Sequence, residues 1–268
     1  MISLKDLLAR ERFKNSRIIK ILRKKEFWGI WKMKTETQTK QYQFEGNPVI
    51  PIDVPKLGNL VYDERGKEIL AIHNERFGGI DRIEDKTKYK PNQPLSFSNV
   101  PRIQSYSQLL RERFPDMHVP FSEEVIKYWS AIPERDSTYA DTNSVVVFQN
   151  EGCNEDLRKR VLEILGRDKT QLPLAVSGLG VERADNNHGF TFTETEHTKA
   201  EEASYLQKDG RISYDGKQLI QSEDGVLVWV PDDQSGLYRL CRGGSDGLNA
   251  RSDDLLYSNE DGRVQVLY

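Results

Sequence analysis

The chain has 268 residues and a formal net charge of −3, with 37% hydrophobic, 30% charged and 9% aromatic residues. That length can bury a sizeable core, the aromatic content excludes wholesale disorder, and the charge balance excludes a general affinity for nucleic acid or acidic membranes. Two distant cysteines, Cys153 and Cys241, exclude a disulfide framework and a Cys-x-x-Cys metal pair, and no run of about eighteen apolar residues offers a membrane-spanning helix.

The average charge hides an asymmetry, because residues 1–40 hold twelve Lys or Arg against four Asp or Glu. Leu4, Leu7, Leu8, Ile18, Ile19, Ile21, Leu22, Phe27, Trp28 and Trp31 recur mostly at three- and four-residue spacings, which predicts a basic amphipathic helix over residues 3–33. Such a helix either packs on its own domain or another subunit, or binds a membrane, nucleic acid or a partner groove. The start of the chain, Met1-Ile-Ser-Leu-Lys-Asp-Leu-Leu, is too quickly charged to be the apolar core of a secretory signal. The expectation is a protein made in the cytoplasm that stays there or enters a virion or surface assembly.

A polar stretch, Lys34 to Gln41, separates this helix from Pro- and Gly-rich sequence through residue 101, giving an extension over 1–45 and a main domain over 46–268. Asn47-Pro48, Ile50-Pro51, Val54-Pro55, Lys90-Pro91 and Gln93-Pro94 predict extended segments and no long helix in this region. Leu60-Val-Tyr62 and Ile69-Leu-Ala-Ile72, flanking Asp63-Glu-Arg-Gly66, predict a hairpin.

Helices are predicted from Ile103 to Phe114, from Ser122 with Glu123 and Glu124 in the first turn, and after Asn154 as far as Gly166. Val145-Val-Val-Phe148 and Leu172 to Val176 read as buried strands. Beyond residue 186 the pattern turns to strands, Phe190-Thr-Phe192, Ile212-Ser-Tyr214, Leu219-Ile220 and Val226 to Val230. Asp209-Gly210, Asp215-Gly216 and Asp224-Gly225 serve as hairpin turns between them. Helices early and hairpins late predict an α+β architecture.

No catalytic constellation emerges. His73, His118, His188 and His197 fall in separate predicted loops or strand ends without metal spacing. Ser177-Gly-Leu-Gly180 lacks the ending of a phosphate loop and reads as a turn. Asp232-Asp233 and Asp253-Asp254 lack further ligands at loop spacing and are expected to cap loops or to pair with Arg239, Arg251 or Arg263. Neither a cofactor nor a metal is therefore expected.

Residues 237–268 have a different character. Leu237, Leu240, Leu248, Leu255 and Val264 form a regular scaffold, interrupted by Tyr238, Cys241, Gly243, Gly244, Ser245, Asn249, Arg251, Ser252, Tyr257 and Asn259. The interrupting types are all reachable from an AAC or AAT asparagine codon by changing only its adenines. Gly262-Arg263-Val264-Gln265-Val266 reads as a closing buried strand. A polar C-terminal meander could share this composition, since loops favour Gly, Asn, Asp and Ser.

With Arg242-Gly-Gly-Ser245, Ala250-Arg-Ser252 and Gly262-Arg-Val264 in that order, the segment resembles the variable region of diversity-generating retroelement target proteins, the archaeal variable proteins in particular. Looser likenesses lie in Tyr128-Trp129, Ala131-Ile-Pro133 and Val226 to Val230. The resemblance implies a C-type lectin-like fold of the formylglycine-generating-enzyme subtype with an N-terminal helical extension. It also implies a variable region over about 237–261 whose residues face solvent and bind a protein or surface ligand. Cys241 falls among the variable positions, so the scaffold and display role carry over while the enzyme chemistry does not. The calcium signatures of lectins are missing. On this expectation the protein is not an enzyme, the leucines hold the backbone, and the N-terminal helix tethers or assembles copies of the chain. Two alternatives stay open, an enzyme relative using Cys241 and a nucleic-acid accessory protein using the basic helix.

Overall fold

A computed structural model describes residues 39–42, 50–53, 56–132, 137–244 and 247–268. The chain divides into two units, Met1–Val54 and Pro55–Tyr268. The basic helix expected over residues 3–33 lies outside the described residues. In the first unit, β1 (Thr39–Tyr42) pairs antiparallel with β2 (Ile50–Asp53), so the end of the polar stretch read as a linker is a strand.

The second unit begins with β3 (Leu57–Asn59), and helix α1 (Glu64–Phe77) follows. This helix overturns the hairpin expected over residues 60–72 and the exclusion of long helices before residue 101. Asp63 is the reason: its Oδ1 accepts from the Arg65 and Gly66 amides at 3.0 Å each, satisfying two donors that a helix start leaves free. Ile69, Leu70, His73 and Phe77 then fall on one buried face. Gly66 lets this turn approach the chain that follows β3, since a Cβ there would meet the Val61 carbonyl oxygen at 2.1 Å.

Helix α2 (Val100–Arg113) starts from Asn99, whose Oδ1 accepts from the Arg102 amide, and is buried on most sides between α1 and the main sheet. The short helix α3 (Ser122–Lys127) starts where Ser122 predicts. Its cap is the Glu124 carboxylate reaching back to the Phe121 amide at 2.9 Å. Next come β4 (Ala140–Val147) and α4 (Glu155–Ile164). Asn154 precedes α4 but does not cap it in the expected way. It takes φ 53°, and its amide donates to the Leu237 and Asp253 carbonyls. Gly166, at φ +63°, ends α4 with its amide on Glu163 O and that of Arg167 on Leu162 O, a Schellman motif.

The remaining elements are strands: β5 (Leu174–Ser177), β6 (Gly180–Arg183), β7 (Phe190–Thr193), β8 (Lys199–Glu202), β9 (Gly210–Tyr214), β10 (Leu219–Gln221), β11 (Val226–Trp229), β12 (Leu237–Gly243), β13 (Gly247–Asn249) and β14 (Gln265–Leu267). Seven of them join β4 in one curled eight-stranded sheet in the order β10-β9-β11-β13-β12-β4-β5-β8, while β6 pairs with β7 and β14 with β3. The unit is thus mixed α+β with a large sheet and few helices. Of the three Asp-Gly turns, only Asp215-Gly216 closes a hairpin, Asp215 accepting from the Lys217 and Gln218 amides. Asp209-Gly210 opens β9, and Asp224-Gly225 joins two strands that flank β9.

Alternation along β4 divides the core. Val145 and Val147 face a cluster with Leu157, Val161, Phe190, Phe192 and Leu237, whereas Val146 and Phe148 face one with Ile212, Val228, Tyr238, Leu240 and Leu248. A third cluster, including Ile69, Ile103, Leu109, Val264 and Val266, joins α1 and α2 to the paired ends of the unit.

His73 belongs to this helical core rather than to a predicted loop. Its Nε2 donates to Ile83 O at 3.0 Å, and its Nδ1 accepts from the Ser105 hydroxyl at 2.9 Å. Burial pushes its pKa down to about 4, against the Ile83 hydrogen bond. The unfolded chain therefore takes up a proton near pH 6.5 that the folded state refuses. Stability present above pH 6.5 should fall as pH drops toward 4, by on the order of 3 kcal/mol from this residue. Urea unfolding of His73→Gln across that range should show a shallower slope than the natural chain.

Candidate functional site

Strand β12 organises the region singled out by its composition. Leu237 faces one core cluster while Tyr238 and Leu240 face the other, and the register against β4 shifts between Arg239 and Cys241. In register, Cys241 lies opposite Asp141 on one side and Asn249 on the other. Because neighbouring strands flank β12, six of its seven residues are buried.

Two positions expected to face a ligand are therefore in the interior. Tyr238 is 8% exposed and stacks edge-on against Phe148 at 5.5 Å between ring centroids. Burial, followed by its contact with Cys153, holds its hydroxyl well above the usual phenol range. Cys241 is 7% exposed, and its Sγ donates to Asn249 O at 3.7 Å. Burial pushes its thiol up to about 11 despite nearby Arg239, so it stays protonated at neutral pH. Both cysteines are free.

Beneath the C-terminal segment lies a buried ion pair. Arg239 Nε and Nη2 donate to the two oxygens of Asp141 at 2.7 and 2.5 Å, with side chains 2% and 1% exposed. Burial alone would lower the Arg239 pKa, but Asp141 reverses this and raises it. Ser98 Oγ donates to the same carboxylate at 2.9 Å. The guanidinium lies 5.2 Å from the Tyr139 ring centroid and 5.5 Å from that of Tyr257, and its Nη1 donates to Tyr257 O. The expected pairing of Arg239 with an Asp-Asp dipeptide is thus replaced by Asp141. Arg251 pairs with Asp209 and Asp254 with Arg82.

The other positions are more open. Gly243 ends β12 opposite Gly247 and Gly244 follows it in a turn, and Ser245 lies outside the described residues. Asn249 accepts the Arg251 amide at 2.7 Å; Arg251 is exposed and Ser252 half-buried. Tyr257 is 45% exposed, and its hydroxyl accepts from Asn259 Nδ2 at 3.0 Å. The Asn259 amide donates to the Tyr139 hydroxyl, which burial raises to about 12. The loop carrying Tyr257 and Asn259 is thereby fixed to Arg239, Tyr139 and Ser98. Leu237, Leu240, Leu248, Leu255 and Val264 are all buried, as their spacing predicts.

Sequence reasoning missed Asp141, Ser98 and Tyr139, which support this surface from elsewhere in the chain. Among the described residues no cluster of His, Cys, Asp and Glu is placed to hold a metal, and no helix is long and apolar enough to cross a membrane. Comparison with protein-family models, curated proteins and solved structures finds no match for the chain.

Proposed function

We propose that this chain is a non-enzymatic ligand-binding protein whose C-terminal surface is diversified by a retroelement and carried on a C-type lectin-like domain. The supporting observation is how the glycines divide. Among the described residues, a Cβ at Gly243 would meet nothing nearer than 3.8 Å and one at Gly244 nothing within 4 Å, although φ +49° limits Gly244 to residues that tolerate a left-handed backbone; both lie in the segment read as variable. At Gly247 it would meet Leu227 O at 2.0 Å, and at Gly262 the Tyr139 hydroxyl at 2.6 Å. Positions free to change thus adjoin positions that are not. With Tyr238 and Cys241 inside, the surface reduces to Gly243, Gly244, Ser245, Asn249, Arg251, Ser252, Tyr257 and Asn259, types that recognition loops use for adaptable contacts.

The lectin-like reading draws support from the pairing of β3 with β14, which brings the ends of the unit together, and from the two helices between β3 and the main sheet. The ligand is a protein or surface component, bound through several copies if the N-terminal segment assembles them. Sequencing the DNA around the gene tests the proposal. A near-copy of the codons for 237–261, differing only where the copy carries adenine and lying beside a reverse transcriptase, is the expected result. A locus without such a copy would sink the reading.

A further inference from the structure

We propose that the cleft between the α1–α2 connection and the β6–β7 turn is a second ligand site, suited to a neutral, hydroxyl-rich ligand of the oligosaccharide class. This site adjoins the C-terminal segment, which contributes Leu256 to its lining, but uses none of the positions read as variable. It is an open cleft of about 810 Å³, within the size range of small-ligand sites. Asp81 and Arg82 lie on one wall and Arg183 and Asp185 on the other, so each wall offers a charged donor beside a charged acceptor. Asn187, whose amide both donates and accepts, also lines the cleft. An ion of either sign would meet repulsion as well as attraction there, whereas an array of hydroxyls finds partners for its donors and acceptors alike. Ile80 and Leu256 supply a small apolar surface for the C–H face of a sugar ring.

The walls are held in place from behind. The buried Arg102 guanidinium donates to the Ile83, Glu84 and Phe97 carbonyls at 2.7–2.8 Å, and Asn99 Nδ2 donates to Arg82 O at 2.8 Å. This scaffold keeps Arg82 at φ 62°, a conformation rarely adopted by residues with a side chain, and its guanidinium reaches Asp254 at 2.6 Å. The two walls also meet directly: Arg183 Nη1 donates to Gly78 O at 3.2 Å, and Gly189 packs where a Cβ would come within 2.5 Å of Ile80. The cleft is therefore preformed, which lowers the ordering cost of binding.

The full chain would be applied to an array of immobilised neutral and acidic oligosaccharides, and the best neutral glycan titrated calorimetrically. A neutral glycan should bind, and Arg183→Ala and Asp185→Ala, both at exposed positions, should each weaken binding about tenfold, the loss of roughly one hydrogen bond to a charged group. Arg251→Ala, at an exposed position of the C-terminal surface outside the cleft lining, should leave this affinity within about twofold, separating the cleft from that surface. Retention of no glycan, retention of acidic glycans only, or less than about a threefold effect from both cleft variants would overturn the proposal. So would a loss confined to Arg251→Ala.

Discussion

Asp141→Asn should destabilise the folded chain by about 3–5 kcal/mol, because it leaves the Arg239 guanidinium buried without its counter-charge. A loss of that size is a large fraction of the roughly 5–15 kcal/mol that holds a domain folded. Urea unfolding followed by tryptophan fluorescence measures it, and a loss below about 1 kcal/mol would show that the pair is not the anchor argued here. Local consequences should follow too. Arg239 also holds Tyr257 O and lies near the Tyr139 and Tyr257 rings, so amide exchange should accelerate over residues 254–263. The double variant Asp141→Leu with Arg239→Met removes both charges, and should be less destabilised than the sum of the single changes.

Glycine replacements give the second large effect and bear on function as well as stability. Gly247→Ala sets a methyl against the Leu227 backbone on the parallel neighbour β11, and Gly262→Ala sets one against the Tyr139 hydroxyl and the Ser98 amide. Backbone offers no easy escape, so each should cost about 1–3 kcal/mol or more. Gly243→Ser enters open space and should stay within about 0.5 kcal/mol of the natural chain. Gly244 sits at φ +49°, which makes Asn the substitution best tolerated there. Thermal midpoints of the four variants should therefore fall into two groups. Equal losses at Gly243 and Gly247 would remove the main support for a surface built to vary.

The features visible in the sequence were those produced by local periodicity. Helix α2, the end of α4 at Gly166, the strand at Val145 and the inward leucines of the last thirty residues all follow from spacing and turn chemistry. The α1 region shows how a local signal can be misread. Gly66 and the surrounding prolines suggested strands, but Asp63 capping the following turn and the spacing of Ile69, Leu70, His73 and Phe77 favour helix. The first half of β4 was hidden for another reason. Asp141, Thr142, Asn143 and Ser144 are almost fully buried yet polar, hydrogen-bonded to Arg239, the Leu240 carbonyl, Ser107 and Ser177 respectively. Hydropathy cannot reveal a buried strand whose partners lie far away in sequence.

The C-terminal surface divides along the same line. The sequence by itself determined the α+β class, the irregular segment over 237–261 and the leucines that secure it, because each depends on composition and short-range spacing. Only the tertiary structure decided that Tyr238 and Cys241 face inward, that Gly243 and Gly244 have room while Gly247 and Gly262 do not, and that Arg239 is neutralised by Asp141. Those outcomes depend on which strands flank β12 and on a carboxylate 98 residues from its arginine. Pairings across such distances are set when the whole sheet assembles, and no short window of sequence contains them.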